Sequence, residues 1–267
     1  MPELKHALGC LKDPVDRRDL PLTRLPPALK IKLPPKIDYT KKMSPISDQG
    51  DEGTCVGFAT VDGMKEYQEK TEWKKTIQLS VRYVYAGAQK IDSFPDDEDG
   101  TDIRSAMKVL NKNGVPPQSC WPYKPHQQDK PCANADELAK PYRIEKYVRL
   151  NTEAEMKESL VVNGPFVAGV EVYYDVWGAA DKTGIVKMPA KNDELAGGHA
   201  ICIVGYDDKK KLYKFKNSWG KSWGAKGYGF LPYEYMKKYG MDAWSAKDLL
   251  GDKKVQMVLD QFVKLMR

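Results

Sequence analysis

Apolar residues recur at a helical interval through the first half of the chain and in short runs or alternation through the second. Phe58, Val61, Met64 and Tyr67 lie close to i, i+3, i+6, i+9, which predicts a helix from about Thr54 to Lys70 with Thr54 as N-cap. Ile103, Ala106, Met107 and Leu110 predict a second helix from about Thr101 to Lys112, ended by Asn113, Gly114 and Pro116. A third opens on the capping box Thr152 with Glu155 and stops at Asn163-Gly164-Pro165. After residue 165 the texture changes to strands: Phe166 to Val172, Ala200 to Tyr206, and Lys211 to Lys216, where Leu212, Tyr213 and Phe215 mix with lysines. Residues Leu249 to Met266 predict a terminal amphipathic helix. Helices first and strands later point to an α+β fold with two segregated lobes.

Residues 1 to about 35 break this pattern. Pro14, Pro21, Pro26, Pro27, Pro34 and Pro35 exclude long helices, and Asp16-Arg17-Arg18-Asp19 is a compact charged stretch. Leu4, Leu8, Leu11, Leu20 and Leu22 still offer apolar anchors. The segment reads either as a flexible tail or as an arm laid over the body.

Composition narrows the function classes. A chain of 267 residues with 41% hydrophobic and 30% charged residues has material for one large domain or two lobes. No window approaches 18 uninterrupted apolar residues, so no membrane span is expected. The opening Met1-Pro2-Glu3-Leu4-Lys5-His6 has no apolar signal region, and the default expectation is a cytoplasmic chain unless a signal was removed. The net charge of +6 is spread along the sequence, which does not make a nucleic-acid footprint. The acidic run Asp96 to Gly100 fails as a calcium loop, because Pro95 and Ala106 would fall at ligating positions. No CxxC, HExxH, Walker or GxGxxG pattern occurs. No metal or cofactor is expected, and the expected assembly is a monomer.

Two residues carry candidate chemistry. Of five cysteines, Cys55 falls in the first turn of a predicted helix after a glycine-containing loop, where free N–H groups and the helix dipole favour thiolate. Cys202, inside an apolar run, reads as a packed side chain. Cys120 and Cys132 flank a short loop and are compatible with either a disulfide or two thiols. Of three histidines, His6 and His126 lie in loop-like, exposed contexts, whereas His199 opens a strand. A hairpin centred on Asp208 would pair Ile203 with Tyr213, Ile201 with Phe215 and His199 with Asn217, placing an imidazole and an amide together at the end of an apolar face. Such a set supports nucleophilic chemistry: a thiolate–imidazolium pair, an asparagine carbonyl to orient the ring, and Gln49 as an oxyanion donor six residues before Cys55. One lost donor of this kind costs on the order of 2.7–4 kcal/mol of transition-state stabilisation.

At these residues the chain resembles the papain-like cysteine peptidases. Gln49-Gly50, Thr54-Cys55 and Phe58-Ala59 look like the family's glutamine and cysteine block. Gly198-His199-Ala200 with Val204-Gly205-Tyr206 looks like its histidine block, and Asn217-Ser218-Trp219-Gly220, Trp223-Gly224 and Gly227-Tyr228-Gly229 like its asparagine block. Gln78-Leu79-Ser80, Gly100 and Trp121-Pro122-Tyr123 are weaker matches, and the likeness spans about residues 33 to 245. The resemblance implies a two-lobed fold: a helical lobe of about 50–140 carrying Cys55, and a β-barrel-like lobe of about 141–245 carrying His199 and Asn217. Residues 1–35 would be a short, possibly pro-region-like extension, as in short-extension prokaryotic members, before a catalytic domain of 36–267. It implies Cys55 as nucleophile, His199 as base and acid, Asn217 as orienter and Gln49 as oxyanion donor. Trp219 would shield the His199–Asn217 contact, and Gly198 and Gly100 would border the substrate. Peptides or proteins would be the substrates.

The departures are specific. Glu52 stands where many relatives have a second cysteine, Val56 where tryptophan is usual, and Gly57 where alanine is usual. Endopeptidase, exopeptidase, ligase and a catalytically silent binding protein of the same fold stay open on sequence.

Overall fold

The structure is a computed structural model that describes residues 4–22, 32–95, 99–127 and 129–249. Beyond Leu249, the terminal helix expected over residues 249–266 lies outside them, as do most of the acidic residues of the rejected calcium loop.

In chain order the elements begin with two short strands, Cys10–Leu11 (β1) and Lys36–Asp38 (β2). The first predicted helix is a continuous rod in three parts: Cys55–Gly57 (α1), a π-helical stretch Phe58–Lys65, and Glu66–Trp73 (α2). Thr54 sits at the N-cap without capping by its side chain, because its hydroxyl is engaged by Tyr123 Oη at 2.8 Å. From Cys55 to Glu69 this rod is buried around its whole girth rather than along one stripe. Gly63 permits that, since a Cβ there would come within 2.5 Å of the Cys202 Cβ. Inside the rod, buried Lys65 is paired with Glu69 and with Asp248.

Val81–Gln89 (α3), Thr101–Asp102 (β3) and Ile103–Lys112 (α4) follow. The Asp102 side chain caps α4 by accepting from Ser105 N at 2.8 Å. Then come Ala135–Ala139 (α5), Ile144–Arg149 (β4) and Glu153–Val162 (α6), whose Thr152–Glu155 capping box forms as predicted. The remainder is Phe166–Tyr173 (β5), Tyr174–Ala179 (α7), Leu195–Asp207 (β6), Leu212–Lys216 (β7), Tyr228–Pro232 (β8), Tyr233–Tyr239 (α8) and Gly240–Asp248 (β9). No helix among the described residues is long and apolar enough to cross a membrane.

The long strands form one antiparallel sheet in the order β4-β9-β5-β6-β7-β8, with β2 added on β6. β5 and β6 are buried on both faces, which is why they read as unbroken apolar runs rather than alternation. Val167, Cys202 and Val204 face the helices, while Ala168, Val170, Ile201, Ile203, Tyr213 and Phe215 pack a second core with Trp177, Trp219 and Trp223. The β-barrel-like expectation is corrected: β4 and β8 do not meet, and the sheet is open. Its outer strands are covered instead of joined, β4 by a bridge from Pro21 to Arg149 and β8 by one from Ile185 to Phe230.

Candidate active site

The loop that carries Gln49 toward Cys55 is stitched to the stretch after β7. Asp48 and Trp219 form an antiparallel bridge. The Gln49 N–H donates to Ser218 O at 2.8 Å and the Gly220 N–H to Ser47 O at 3.0 Å. Ser218 Oγ then donates to Gln49 Oε1 at 2.7 Å, which fixes the amide with Nε2 as its donor end, and Nε2 donates to Glu52 O at 2.9 Å. Ser218 is a positioning residue that the sequence reading passed over; its only signal was a hydroxyl beside Asn217.

His199 sits on β6 opposite Val170. Its Nε2 donates to Asn217 Oδ1 at 2.8 Å, an oxygen that also accepts the Ser218 N–H at 3.0 Å. Because an amide oxygen only accepts, the ring proton lies on Nε2. Nδ1 is left as an acceptor, buried and with no hydrogen-bond partner among the described residues. Trp219 covers the ring at 4.6 Å between centroids, and Trp177 meets it edge-on at 5.8 Å. Excluding water in this way strengthens the His199–Asn217 bond.

The hairpin register differs from the one expected. Ile203 pairs with Phe215 and Asp207 with Leu212, with an irregularity between Ile203 and Gly205. The turn spans Asp208 to Lys211 and closes on Lys211 at φ 54°, so its centre lies beyond Asp208. The shared face survives the shift, and His199 reaches Asn217 diagonally rather than from directly opposite. Cys55 arrives from the other side: its Sγ accepts the N–H of Ala200, the neighbour of His199, at 3.4 Å.

The N-terminal extension runs through the site. His6 is stacked on Trp219 with centroids 5.4 Å apart, and its Nε2 is 3.0 Å from Asp48 Oδ1. Ala7 O accepts from Gln49 Nε2 at 3.1 Å. The Gly9 N–H is directed at Cys55 Sγ, and Gly9 O accepts the Thr101 N–H at 3.0 Å. β1 then pairs in parallel with β3. Gly100 and Gly198 border this track: a Cβ at Gly100 would come within 2.6 Å of Gly9 O, and one at Gly198 within 2.1 Å of Cys10 O. The expectation of an exposed His6 is therefore corrected, since 17% of its side chain is accessible.

Under the arm, Cys55 and His199 are fully buried. Desolvation pushes the Cys55 thiol up to about 11, although N–H groups of Ala200 and Gly9 work against the rise. Desolvation likewise pushes His199 down to about 4, outweighing the bond to Asn217. Covered in this way, Cys55 is a neutral thiol and His199 a neutral imidazole, rather than the thiolate–imidazolium pair expected from the sequence.

Glu52 replaces a cysteine with an ion pair. Both Arg82 terminal nitrogens contact its carboxylate, Tyr123 Oη lies 3.2 Å from Oε2 and the His126 N–H 3.1 Å from it. Burial alone would raise this carboxyl, but the hydrogen bonds from Arg82 and the His126 N–H outweigh it and hold it below the ordinary range. Its contribution to stability is therefore present above the unfolded carboxylate range and is lost as pH falls through the depressed folded value. Glu52→Ala leaves Arg82 buried without its partner, and we expect a loss of about 3–5 kcal/mol, read as a lowered urea midpoint at pH 7. Cys120 and Cys132, left open by the sequence, are disulfide-bonded.

Known proteins resemble this chain in sequence and fold. Residues 33–246 match the family described as papain family cysteine protease. A peptidase C1-like protein of Acanthamoeba polyphaga mimivirus is 29% identical, over 92% of this chain and 88% of its own length. Mouse cathepsin K is 27% identical over 86% of this chain and 69% of its own length. Among solved structures, xylellain, a cysteine protease from Xylella fastidiosa, superposes with a TM-score of 0.81 at 31% identity, covering 92% of this chain and 97% of that one.

Proposed function

The chain belongs to the papain family of cysteine proteases, a peptidase by that membership, and we propose that it is an endopeptidase held latent by its own N-terminal arm. Cys55 is the nucleophile in this reading. His199 Nδ1 takes the Sγ proton, and the thiolate attacks the scissile carbonyl carbon. The carbonyl π pair moves onto oxygen, where Gln49 Nε2 and the Cys55 N–H receive it. Collapse breaks the C–N bond as His199 returns its proton to the departing amine, leaving a thioester. Water, deprotonated by His199, attacks that thioester, and the acid leaves as Cys55 regains its proton. Asn217 keeps the ring in the Nε2–H tautomer that this sequence needs.

One observation carries the proposal: a continuous extended chain, from His6 on Trp219 to Cys10 beside Thr101, already lies across Cys55. A groove that admits a strand at both ends suits internal cleavage rather than trimming of termini. The same chain is not positioned to be cut. It offers the Gly9 N–H to the sulfur, and an N–H has no electrophilic carbon to attack. We read residues 1–35 accordingly as a pro-region-like extension, 36–267 as the catalytic domain, and about 50–140 and 141–245 as its helical and β lobes.

The test is digestion of a mixed peptide set followed by mass spectrometry, with a parallel search for an epoxide adduct on Cys55. Internal cuts are expected after the arm is displaced. Release of only one or two terminal residues would make it an exopeptidase, and an adduct without any cleavage would favour a silent binding protein. Gln49→Ala should lower kcat by roughly 100-fold or more with little change in adduct formation, since the donor acts on the oxyanion. Equal kcat values for the two proteins would remove Gln49 from the mechanism.

A further inference from the structure

Beyond the cleft, the arm makes a second, differently built contact. Asp13 is buried, and its carboxylate accepts Trp244 Nε1 at 2.6 Å, Arg149 Nη1 at 3.0 Å and the backbone N–H of Arg104 at 3.1 Å. Asp16 lies 3.5 Å from Arg104, and Asp19 lies 3.3 Å from both Arg104 and Arg149. Arg104 also donates to Pro14 O, and the Arg149 guanidinium lies over the Trp244 ring at 5.3 Å. Three arm carboxylates thus converge on two body arginines.

Charge shows what the body alone presents there. Without the arm, the acidic groups left beside Arg104 and Arg149 among the described residues are Asp242, bonded to Arg149, and Asp102, committed to capping α4. With the arm in place 7% and 22% of the Arg104 and Arg149 side chains are accessible, and its departure would expose both guanidinium groups and remove three carboxylates at once. Planar, always-charged donors beside an indole suit carboxylate side chains, which they bind in a fork and hold dry once covered.

We propose that Arg104, Arg149 and Trp244 form an acidic-peptide site next to the catalytic groove, filled by the arm in the latent chain and by substrate aspartate or glutamate side chains afterwards. This rests on the reading of the arm as displaceable. Asp13 to Asp19 lie four to ten residues along the chain from Gly9 at Cys55, and this sets the offset from the scissile bond at which substrate acids are recognised.

The test uses the full-length chain carrying Gly9→Val, to lift the arm, with Asp13→Asn, Asp16→Asn and Asp19→Asn, to empty the site. The probes are a labelled synthetic peptide of residues 12–22 and its counterpart with the three aspartates changed to asparagine, followed by anisotropy at low salt. The aspartate peptide should bind about tenfold tighter, with the ratio falling to one in an added Arg104→Gln, Arg149→Gln background. Equal binding of the two peptides overturns the site. A matched pair of cleavable peptides, with Asp or Asn five residues from the cut on either side, gives a second readout on Gly9→Val with Asp16→Asn and Asp19→Asn, which keeps the buried Asp13 in case the triple change prevents folding. In that variant, with the Asp16 and Asp19 contacts to Arg104 and Arg149 removed, a kcat/KM ratio above about five is expected and a ratio of one overturns the proposal. Failure of the peptidase reading looks different: neither cleavable peptide is cut, while the anisotropy ratio still reports.

Discussion

Gly9→Val should raise both peptide hydrolysis and the rate at which iodoacetamide labels Cys55 at pH 6, by roughly 100-fold over the unaltered chain. The Cβ added at Gly9 would stand 1.9 Å from Gly53 O and 2.4 Å from Gly53 C, both backbone atoms with no rotamer to give way. The arm must lift. Lifting forfeits the Gln49 Nε2 bond to Ala7 O, the Thr101 N–H bond to Gly9 O and the Gly9 N–H contact with Cys55. At about 1 kcal/mol each, the first two bonds account for about 30-fold in the open population, and the backbone clash at Gly53 supplies the rest. The pH dependence follows from the covered state. With Cys55 at about 11 and His199 at about 4, the latent chain carries almost no thiolate at pH 6, and labelling rises only toward strongly alkaline pH. Once water re-enters, the penalty on both charged forms is relieved, and labelling should become nearly flat from about pH 5 to 8. A Gly9→Val chain that labels no faster than the parent would mean that the arm is not what silences the sulfur.

His199→Ala, placed in the Gly9→Val chain, should abolish turnover, with kcat falling by on the order of 10⁴ or more. Labelling at pH 6 should fall by about two orders of magnitude, because an isolated cysteine near pKa 8.5 is only about 0.3% thiolate there. The two readouts separate roles. Loss of turnover alone would leave His199 as a proton donor to the leaving amine, whereas loss of both identifies it as the group that holds the thiolate. Unchanged labelling would dissolve the ion pair, whatever happened to kcat.

The motifs around Cys55, His199 and Asn217 were readable because each rests on local chemistry: a glycine-bearing turn before a helix, a histidine opening an apolar strand, an asparagine after an alternating one. The helix over Phe58 to Tyr67 was placed correctly, but its all-round burial was hidden, since Asp62, Lys65 and Glu69 look solvent-facing in sequence and are in fact paired inside. The hairpin register slipped because a four-residue turn and an irregularity near Val204 leave no residue signature as plain as Asn-Gly. Least legible was the arm. Leu8 offered an anchor for an arm laid over the body, but nothing in His6-Ala7-Leu8-Gly9 says which surface it meets, because that information lies in the partner: the ring of Trp219, the amide of Gln49 and the absence of a side chain at Gly198. Asp13, Asp16 and Asp19 read as ordinary surface charge until Arg104 and Arg149 are seen opposite them.

The segment that crosses Cys55 belongs to the same polypeptide that continues into β2, itself paired with β6, the strand of His199. A tether of this kind fixes the local concentration of the blocking segment, on the order of millimolar for short flexible connections, however dilute the protein becomes. Latency imposed by this arm would be a unimolecular property, indifferent to expression level. A single cut in the connection would turn it into an ordinary two-body equilibrium, which dilution drives in one direction only.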